Sequence, residues 1–298
     1  MLISNPRAGS VSTRTRDVIA KALSADFKLD VVDTARRDHA QDLARDAVDA
    51  GFDAVIAFGG DGTVNEVAQG VVKTHVALGI LPGGTTNVMA RSVGIPSDPV
   101  DATSFLAGRL RRGSKKRINV GRFGERYFLF SCGIGLDAEV VRRVEADPRR
   151  YESGREWRFL KHALTAGSTV YRTTVPKMKL VVEGDEPFET LFAICCNSRP
   201  LTFFKKMPMD VCPEAHLDEG LDLFSLSKVR APTIPRIIWS TYVSRSHPRW
   251  RNGRYFHDRT AASFEAYEPL PVQVDGDYIG QHLLGDIALV KDALDLLF

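Results

Sequence analysis

Three turns in this chain concentrate the residue types from which phosphate chemistry is built. Gly59-Gly60-Asp61-Gly62-Thr63 directly follows the apolar run Ala54–Phe58 and opens a helical stretch. Without a Cβ, these glycines let backbone amides approach phosphate oxygens and adopt positive φ. A helix starting there aims its unsatisfied N–H groups and positive dipole end at the same anion. Asp61 points to more than anion binding, because a carboxylate in such a loop is repelled unless a cation or a proton-transfer role compensates. The second turn is Leu81-Pro82-Gly83-Gly84-Thr85-Thr86-Asn87, again strand to helix. The third, Asn5-Pro6-Arg7-Ala8-Gly9-Ser10, joins the first strand to the first helix. Neither a Walker-type G-x-x-x-x-G-K-[ST] nor a dinucleotide-type G-x-G-x-x-G after the first strand is present. The pattern points to a nucleotide pocket with one carboxylate beside it.

Such turns need a frame that brings them to one edge. Up to Gly108, short apolar runs alternate with amphipathic stretches. Strands are expected at Leu2–Ser4, Leu29–Val32, Ala54–Phe58 and Leu78–Leu81, and helices at Val11–Leu23, His39–Ala50, Thr63–Val72 and Thr86–Val93. Alternation of this kind means an α/β domain, a parallel sheet with helices on both faces. Ligands then bind beyond the carboxyl ends of the strands, where all three turns fall. After Arg109-Leu110-Arg111-Arg112-Gly113 the chain becomes strand-rich. Candidates are Ile118–Phe123, Tyr127–Cys132, Lys177–Val182, Leu191–Asn197, Leu221–Leu226, Phe264–Tyr267, Val272–Val274 and Ile287–Val290, with a hairpin from Lys177 to Ile194. Many short strands with turn signals predict a C-terminal β-sandwich-like domain. Helical insertions are expected at Glu139–Val144, Trp157–Thr169 and Ile234–Tyr242.

Composition agrees with a soluble two-domain protein. The chain has 298 residues, 44% hydrophobic and 26% charged, with net charge +3. These values exclude disorder and coiled coil and disfavour a strongly basic nucleic-acid binder. Cys132, Cys195, Cys196 and Cys212 form no Cys-x-x-Cys pair, and the adjacent Cys195 and Cys196 read as packing residues on opposite faces of a strand. The start of the chain lacks a signal-peptide pattern and no apolar run is long enough to span a membrane, so a reducing cytoplasm is expected. From Lys228 to Arg259, Lys228, Arg230, Arg236, Arg245, Arg249, Arg251, Arg254 and Arg259 face a single acid, Asp258. Trp239, Tyr242, Trp250, Tyr255 and Phe256 lie among them, a mixture that an anionic membrane surface attracts. Trp157 too falls in a cationic segment.

The three turns resemble, in order and spacing, the lipid kinase family of diacylglycerol and sphingosine kinases. Gly133-Ile134-Gly135-Leu136-Asp137-Ala138-Glu139 is similar to that family's next block. Asp275-Gly276-Asp277-Tyr278 stands in the place of its late Asp-Gly-Glu element. The resemblance covers nearly the whole chain. It implies ATP- and Mg2+-dependent phosphorylation of a lipid hydroxyl, diacylglycerol first, in a cleft between two domains. Residues 1–108, with 286–298 returning to them, would bind ATP, and residues 109–285 would admit the lipid. Carried over by position, Asn5, Pro6 and Gly9 border the nucleotide. Thr34, Gly59, Gly60, Asp61, Gly62, Thr63, Glu66, Gly84 and Thr85 contact it. Asp61 and Asp277 are the implied catalytic acids, Asp277 the base by analogy and Asp61 a holder of Mg2+ through water. Asp137 and Glu139 are the implied lipid contacts, and Glu219 the ligand of a structural Mg2+.

The basic-aromatic stretch 228–259 adds the expectation of a cytoplasmic protein peripherally bound to an anionic membrane. Its partners would be ATP and lipid, not nucleic acid, and a homodimer is compatible with it. The chain departs from the pattern at Asp277, where the family has Glu, at Asn119, where it usually has Asp, and at Asp218-Glu219-Gly220, where it has Asp-Asp-Gly. Local roles are available for several of these residues: Thr34 as an N-cap or turn residue of the following helix, Glu66 as a solvated first-turn acid, Asn87 as a turn cap and Asp277 as a hairpin residue. A nicotinamide-nucleotide kinase and a catalytically weak nucleotide- or lipid-binding sensor are the competing readings.

Overall fold

A computed structural model describes residues 1–147, 161–162, 165, 175–229 and 234–298. The helix expected over 157–169 falls almost wholly outside these residues, as do Trp157 and Arg230. The chain forms two compact units, Met1–Val120 with Lys291–Phe298, and Gly121–Val290.

The first unit alternates strand and helix as β1 Leu2–Ser4, α1 Thr13–Ser24, β2 Val31–Asp33, α2 His39–Asp49, β3 Ala54–Gly59, α3 Asp61–Val71, β4 Ala77–Pro82, α4 Val88–Ser92 and α5 Pro99–Arg111. Its strands are parallel in the order β2-β1-β3-β4. The two strands with the longest unbroken apolar runs, β3 and β4, are buried almost throughout, as strands covered on both faces must be. Helix α2 packs against α3, and α1 against α5. The expected change of character near Gly108 falls inside α5, which continues to Arg111; strand pairing resumes with β5 Lys116–Phe123. Helix α4 is shorter than expected because Asn87, at φ 47, breaks the helical run before Val88. The end of the last strand returns to this unit, pairing Leu296 with Leu78 in parallel.

The second unit is antiparallel. It contains β6 Arg126–Phe128, β7 Ser131–Ile134, α6 Leu136–Ala146, β8 Met178–Val182, β9 Phe188–Thr190, β10 Phe192–Cys196, β11 Thr202–Phe204, β12 Met207–Met209, β13 Leu221–Leu226, α7 Ile234–Trp239, β14 Gly253–Arg259, β15 Ala261–Val274 and, up to Val290, β16 Asp277–Leu296. The main strand order is β14-β13-β10-β7-β15-β16, with β8 and β9 added along the first half of β15. Adjacent cysteines Cys195 and Cys196 belong to two different apolar clusters, one on each face of β10, and all four cysteines are buried and free. Two expectations are corrected. The single strand expected over Tyr127–Cys132 is two, because the amides of Leu129, Phe130 and Ser131 turn to the carboxylate of Asp275. The separate strands at Phe264–Tyr267 and Val272–Val274 are one, with an irregularity between Glu265 and Leu270 where Pro269 cannot donate to a ladder. No helix among the described residues is long and apolar enough to cross a membrane.

Candidate active site

In the first unit the three turns lie at the carboxyl ends of β1, β3 and β4, which are sheet neighbours. They interlock through backbone and side chain. Gly83 N donates to Gly59 O at 2.7 Å, and Ser10 N donates to Gly83 O at 2.9 Å. Asn5 Nδ2 donates to Thr63 Oγ1 at 2.9 Å, and Asn5 Oδ1 accepts from the amide of Arg7 at 3.0 Å. The approach is too close for side chains: a Cβ on Gly84 would stand 2.7 Å from Gly60 Cα, and one on Gly83 3.1 Å from Gly59 Cα. Glycine is thus required here for contact between loops, not only for turning.

Helix α3 begins at this junction. Its N-cap is Gly60, which has no side chain to cap the first-turn amides of Asp61, Gly62 and Thr63. A helix start of this kind suits a phosphate. Asp61 Oδ1 accepts the amide of Met89 at 3.2 Å, so its carboxylate also caps the start of α4. Asn87 closes its own loop, accepting from Gly84 N at 2.9 Å and donating to Gly84 O at 2.8 Å, which is the turn-capping role. Pro6, Gly9 and Thr85 are exposed on the same loops.

Two local readings are corrected. Thr34 is not the N-cap of α2, which is Asp38; its amide instead donates to Ser4 O at 2.8 Å, ending β2. Glu66 is not a solvated acid: its Oε2 accepts the amide of Ala40 at 3.1 Å, supplying the cap that Asp38 fails to give α2. Asn119, also buried, accepts the amide of Asp292 at 2.9 Å and ties β5 to the returning strand.

In the second unit Asp277 follows a two-residue hairpin turn, Asp275-Gly276. Positive φ values of 49° and 82° at these residues are those of a mirror-image turn, and Val274 pairs with Asp277 across it. Asp277 Oδ2 lies 3.2 Å from a guanidinium nitrogen of Arg126. Asp275, 3% exposed, accepts the amides of Leu129, Phe130 and Ser131 at 2.7, 2.9 and 3.0 Å. Asp137, at the start of α6, accepts from Gln273 Nε2 at 2.7 Å, and burial pushes its carboxyl up to about 6 despite that bond. Glu139 is buried too; burial works against its charge, but hydrogen bonds from Arg142 and Arg143 outweigh it and hold its pKa below the usual value. Sequence reasoning passed over Arg126, Gln273 and the buried role of Asp275. Only the Asp-Gly dipeptide between apolar runs signalled the last.

The surroundings of Glu219 are acidic and include a histidine. Among the described residues no three His, Cys, Asp or Glu side chains are placed to hold a metal. An imidazole stands near Glu219: His257 lies 2.8 Å from Asp222 Oδ1, 3.9 Å from Glu219 Oε2 and 4.0 Å from Glu214 Oε2. Burial disfavours the charged ring, yet these three acids prevail and raise its pKa.

The basic-aromatic stretch divides by function. Arg236 lies over the Trp250 ring at 4.6 Å, Arg254 over Phe188 at 4.2 Å, and Arg245 pairs with the buried Asp210 at 2.6 Å. Lys228, Arg249 and Arg251 are exposed. Trp239 and Val243, four residues apart in α7 and the π-helical turn after it, are 62% and 49% exposed.

Comparisons with known proteins follow the same outline. Residues 1–123 match the diacylglycerol kinase catalytic domain. A diacylglycerol kinase from Staphylococcus saprophyticus is 26% identical over 310 residues, spanning 99% of this chain and 93% of that protein. A crystal structure of a diacylglycerol kinase from Bacillus anthracis shares the fold at TM-score 0.72 and 19% identity, covering 100% of this chain and 95% of that one. An NAD kinase from Archaeoglobus fulgidus shares the fold more distantly, at TM-score 0.51 and 11% identity, over 100% of this chain and 92% of that one. The chain is thus similar to diacylglycerol kinases over nearly its whole length, with the match to their catalytic domain lying in residues 1–123.

Proposed function

We propose that this chain is a lipid kinase that transfers the γ-phosphate of ATP to the hydroxyl of diacylglycerol at a membrane surface. The observation that carries the reading is the interlocked set of turns after β1, β3 and β4, closed by glycine-to-glycine contacts and bordered by Asp61. In this reading the first-turn amides of α3 and the glycine turns hold the phosphates and offset their developing charge. Asn5, Pro6, Gly9, Gly59, Gly60, Gly62, Thr63, Gly84 and Thr85 supply that surface, with Thr34 and Glu66 at its margin.

Mg2+ bound with ATP would neutralise phosphate charge, and a carboxylate beside the glycine turns fits it, since this ion is commonly held by one or two carboxylates plus the phosphates and water. Asp61 would be that carboxylate. The lipid hydroxyl must lose its proton as the new P–O bond forms. Asp277 accepts it, a role that contributes on the order of 10²–10⁴ in rate. Arg126, 3.2 Å away, holds that carboxylate in one orientation. Trp239 and Val243, with exposed Lys228, Arg249 and Arg251, supply the apolar and cationic contacts that a lipid surface requires.

Incubation with ATP labelled at its γ-phosphate and a panel of diacylglycerol, sphingoid bases, ceramide, phosphatidylglycerol and NAD tests the assignment. Label is expected in phosphatidic acid. Label in NAD alone would establish the nicotinamide-nucleotide kinase instead, and no transfer to any acceptor would establish a binding protein.

A further inference from the structure

The hairpin that carries Asp277 is held far more tightly than a two-residue turn needs. An Asp-Gly mirror-image turn is self-sufficient in hairpins of ordinary proteins. Here two further side chains grip its backbone, and the turn's own Asp275 anchors it to the backbone of residues 129–131. Gln273, 2% exposed, accepts the amide of Gly276 through Oε1 at 2.8 Å. The Asp275 carboxylate takes the three amides of Leu129, Phe130 and Ser131, while Asp275 N donates to Ser131 O at 2.8 Å. Glu145 Oε1, from α6, accepts the amide of Tyr278 at 2.9 Å.

The Gln273 amide has only one orientation open to it. Its oxygen faces an N–H, so its nitrogen faces Asp137 Oδ2 at 2.7 Å and Ser131 Oγ at 3.4 Å. Asp137 is crowded against the sheet: a Cβ on Gly133 would fall 2.2 Å from its Oδ2. A carboxyl kept in such a place, against the cost of desolvation, needs a reason beyond turn formation.

We propose that Gln273 is a positioning residue for phosphoryl transfer, its amide oriented by Asp137 so that it fixes the turn from which Asp277 projects. The inference rests on the proposed role of Asp277 as proton acceptor. It also gives Asp137 a task other than lipid contact. Asp277 is one methylene shorter than the Glu of the family pattern, so it has less reach with which to correct a misplaced backbone. A misplacement of about 1 Å at a reacting group costs on the order of 100-fold in rate.

The test exchanges the polarity of the pair. Gln273→Glu keeps an acceptor for Gly276 but sets a carboxylate against Asp137. The double variant Gln273→Glu with Asp137→Asn restores one donor facing one acceptor. For lipid phosphorylation by the full chain, Gln273→Glu should lower kcat at least 10-fold with KM for ATP within 2-fold of wild type. The double variant should regain kcat to within about 3-fold, a rescue that a general loss of stability would not produce. Should Gln273→Glu fail to fold, Asp137→Asn alone provides the measurement: it leaves the turn intact, weakens the bond that orients Gln273, and should lower kcat with KM for ATP unchanged. Asp277→Asn is measured alongside. Wild-type kcat in Gln273→Glu or, where that variant does not fold, in Asp137→Asn, together with an inactive Asp277→Asn, overturns the positioning role and leaves the kinase reading standing. Absence of rescue in a folded double variant overturns it as well. Wild-type kcat in Asp277→Asn overturns both.

Discussion

Replacing Gly84 by alanine should damage nucleotide binding out of proportion to the methyl group added. The new Cβ would stand 2.7 Å from Gly60 Cα and 3.0 Å from Asn87 Oδ1. Carbon atoms pack at about 3.5–4.0 Å, so the two glycine loops would have to part by about 1 Å. Neither neighbour can yield cheaply. Gly60 is the N-cap of α3, and Asn87 makes two hydrogen bonds to Gly84 itself. The strain should cost about 1–3 kcal/mol of stability, and displacement of the α3 start should weaken ATP binding 10- to 100-fold, by analogy with the rate cost of a ~1 Å error. Titration calorimetry with ATP and thermal melting read the two effects. Gly108→Ala is the control: in α5 its Cβ would meet only the flexible end of Arg112, at 3.4 Å. It should stabilise the chain by about 0.5–1 kcal/mol and leave ATP affinity alone. Wild-type ATP affinity and melting in Gly84→Ala would refute the argument that these loops form the nucleotide site by close contact.

Two titrations carry opposite signs. Asp137, raised by burial to about 6 from 3.8, favours the folded state when protonated, and that contribution is lost as pH rises between those values. Denaturant unfolding should therefore show wild type losing about 2 kcal/mol relative to Asp137→Asn between pH 4 and pH 7, and a constant difference would contradict it. His257, raised by its three acids, contributes stability that is full below the ordinary histidine value and lost as pH rises through its higher folded value. His257→Ala should thus lower the melting temperature more at pH 6 than at pH 9; an equal loss at both would remove its charge from the account. At the membrane, Trp239→Ala, or Arg249→Glu with Arg251→Glu, should weaken flotation with anionic vesicles at least 10-fold, at about 1 kcal/mol per near-surface charge. Arg254 is left in place because it stacks over Phe188. Binding indifferent to ionic strength would contradict the electrostatic part.

The first unit was legible because its signals are local. Ala54–Phe58 is apolar without a break and the next residues are glycines, so strand, turn and helix follow from adjacent residues. What pattern could not show is how the loops interlock. Nothing in the sequence pairs Asn5 with Thr63, 58 positions away, or Glu66 with the start of α2. The second unit was harder for the same reason. The break between β6 and β7 is imposed by Asp275, more than 140 residues later in the chain, and the Phe188 run splits where Leu191 N turns to Leu226 O. The basic-aromatic stretch read as one uniform surface, yet packing commits Arg236, Arg245 and Arg254 and leaves Trp239 and Val243 outside. Glu219 was placed by motif alone, and the imidazole that stands beside it comes from residue 257.

The most direct test of the account is lipid phosphorylation by Asp61→Asn beside wild type. The substitution removes the negative charge while its amide oxygen can still accept from Met89 N, the bond now made at 3.2 Å, so α4 keeps its cap. The account predicts an unchanged melting temperature and a rate at saturating ATP and diacylglycerol reduced more than 10-fold, over ~1.4 kcal/mol of transition-state stabilisation. A variant that folds normally and keeps more than about a tenth of the wild-type rate would contradict a role for Asp61 in phosphoryl transfer, and with it the assignment of these loops as the catalytic site.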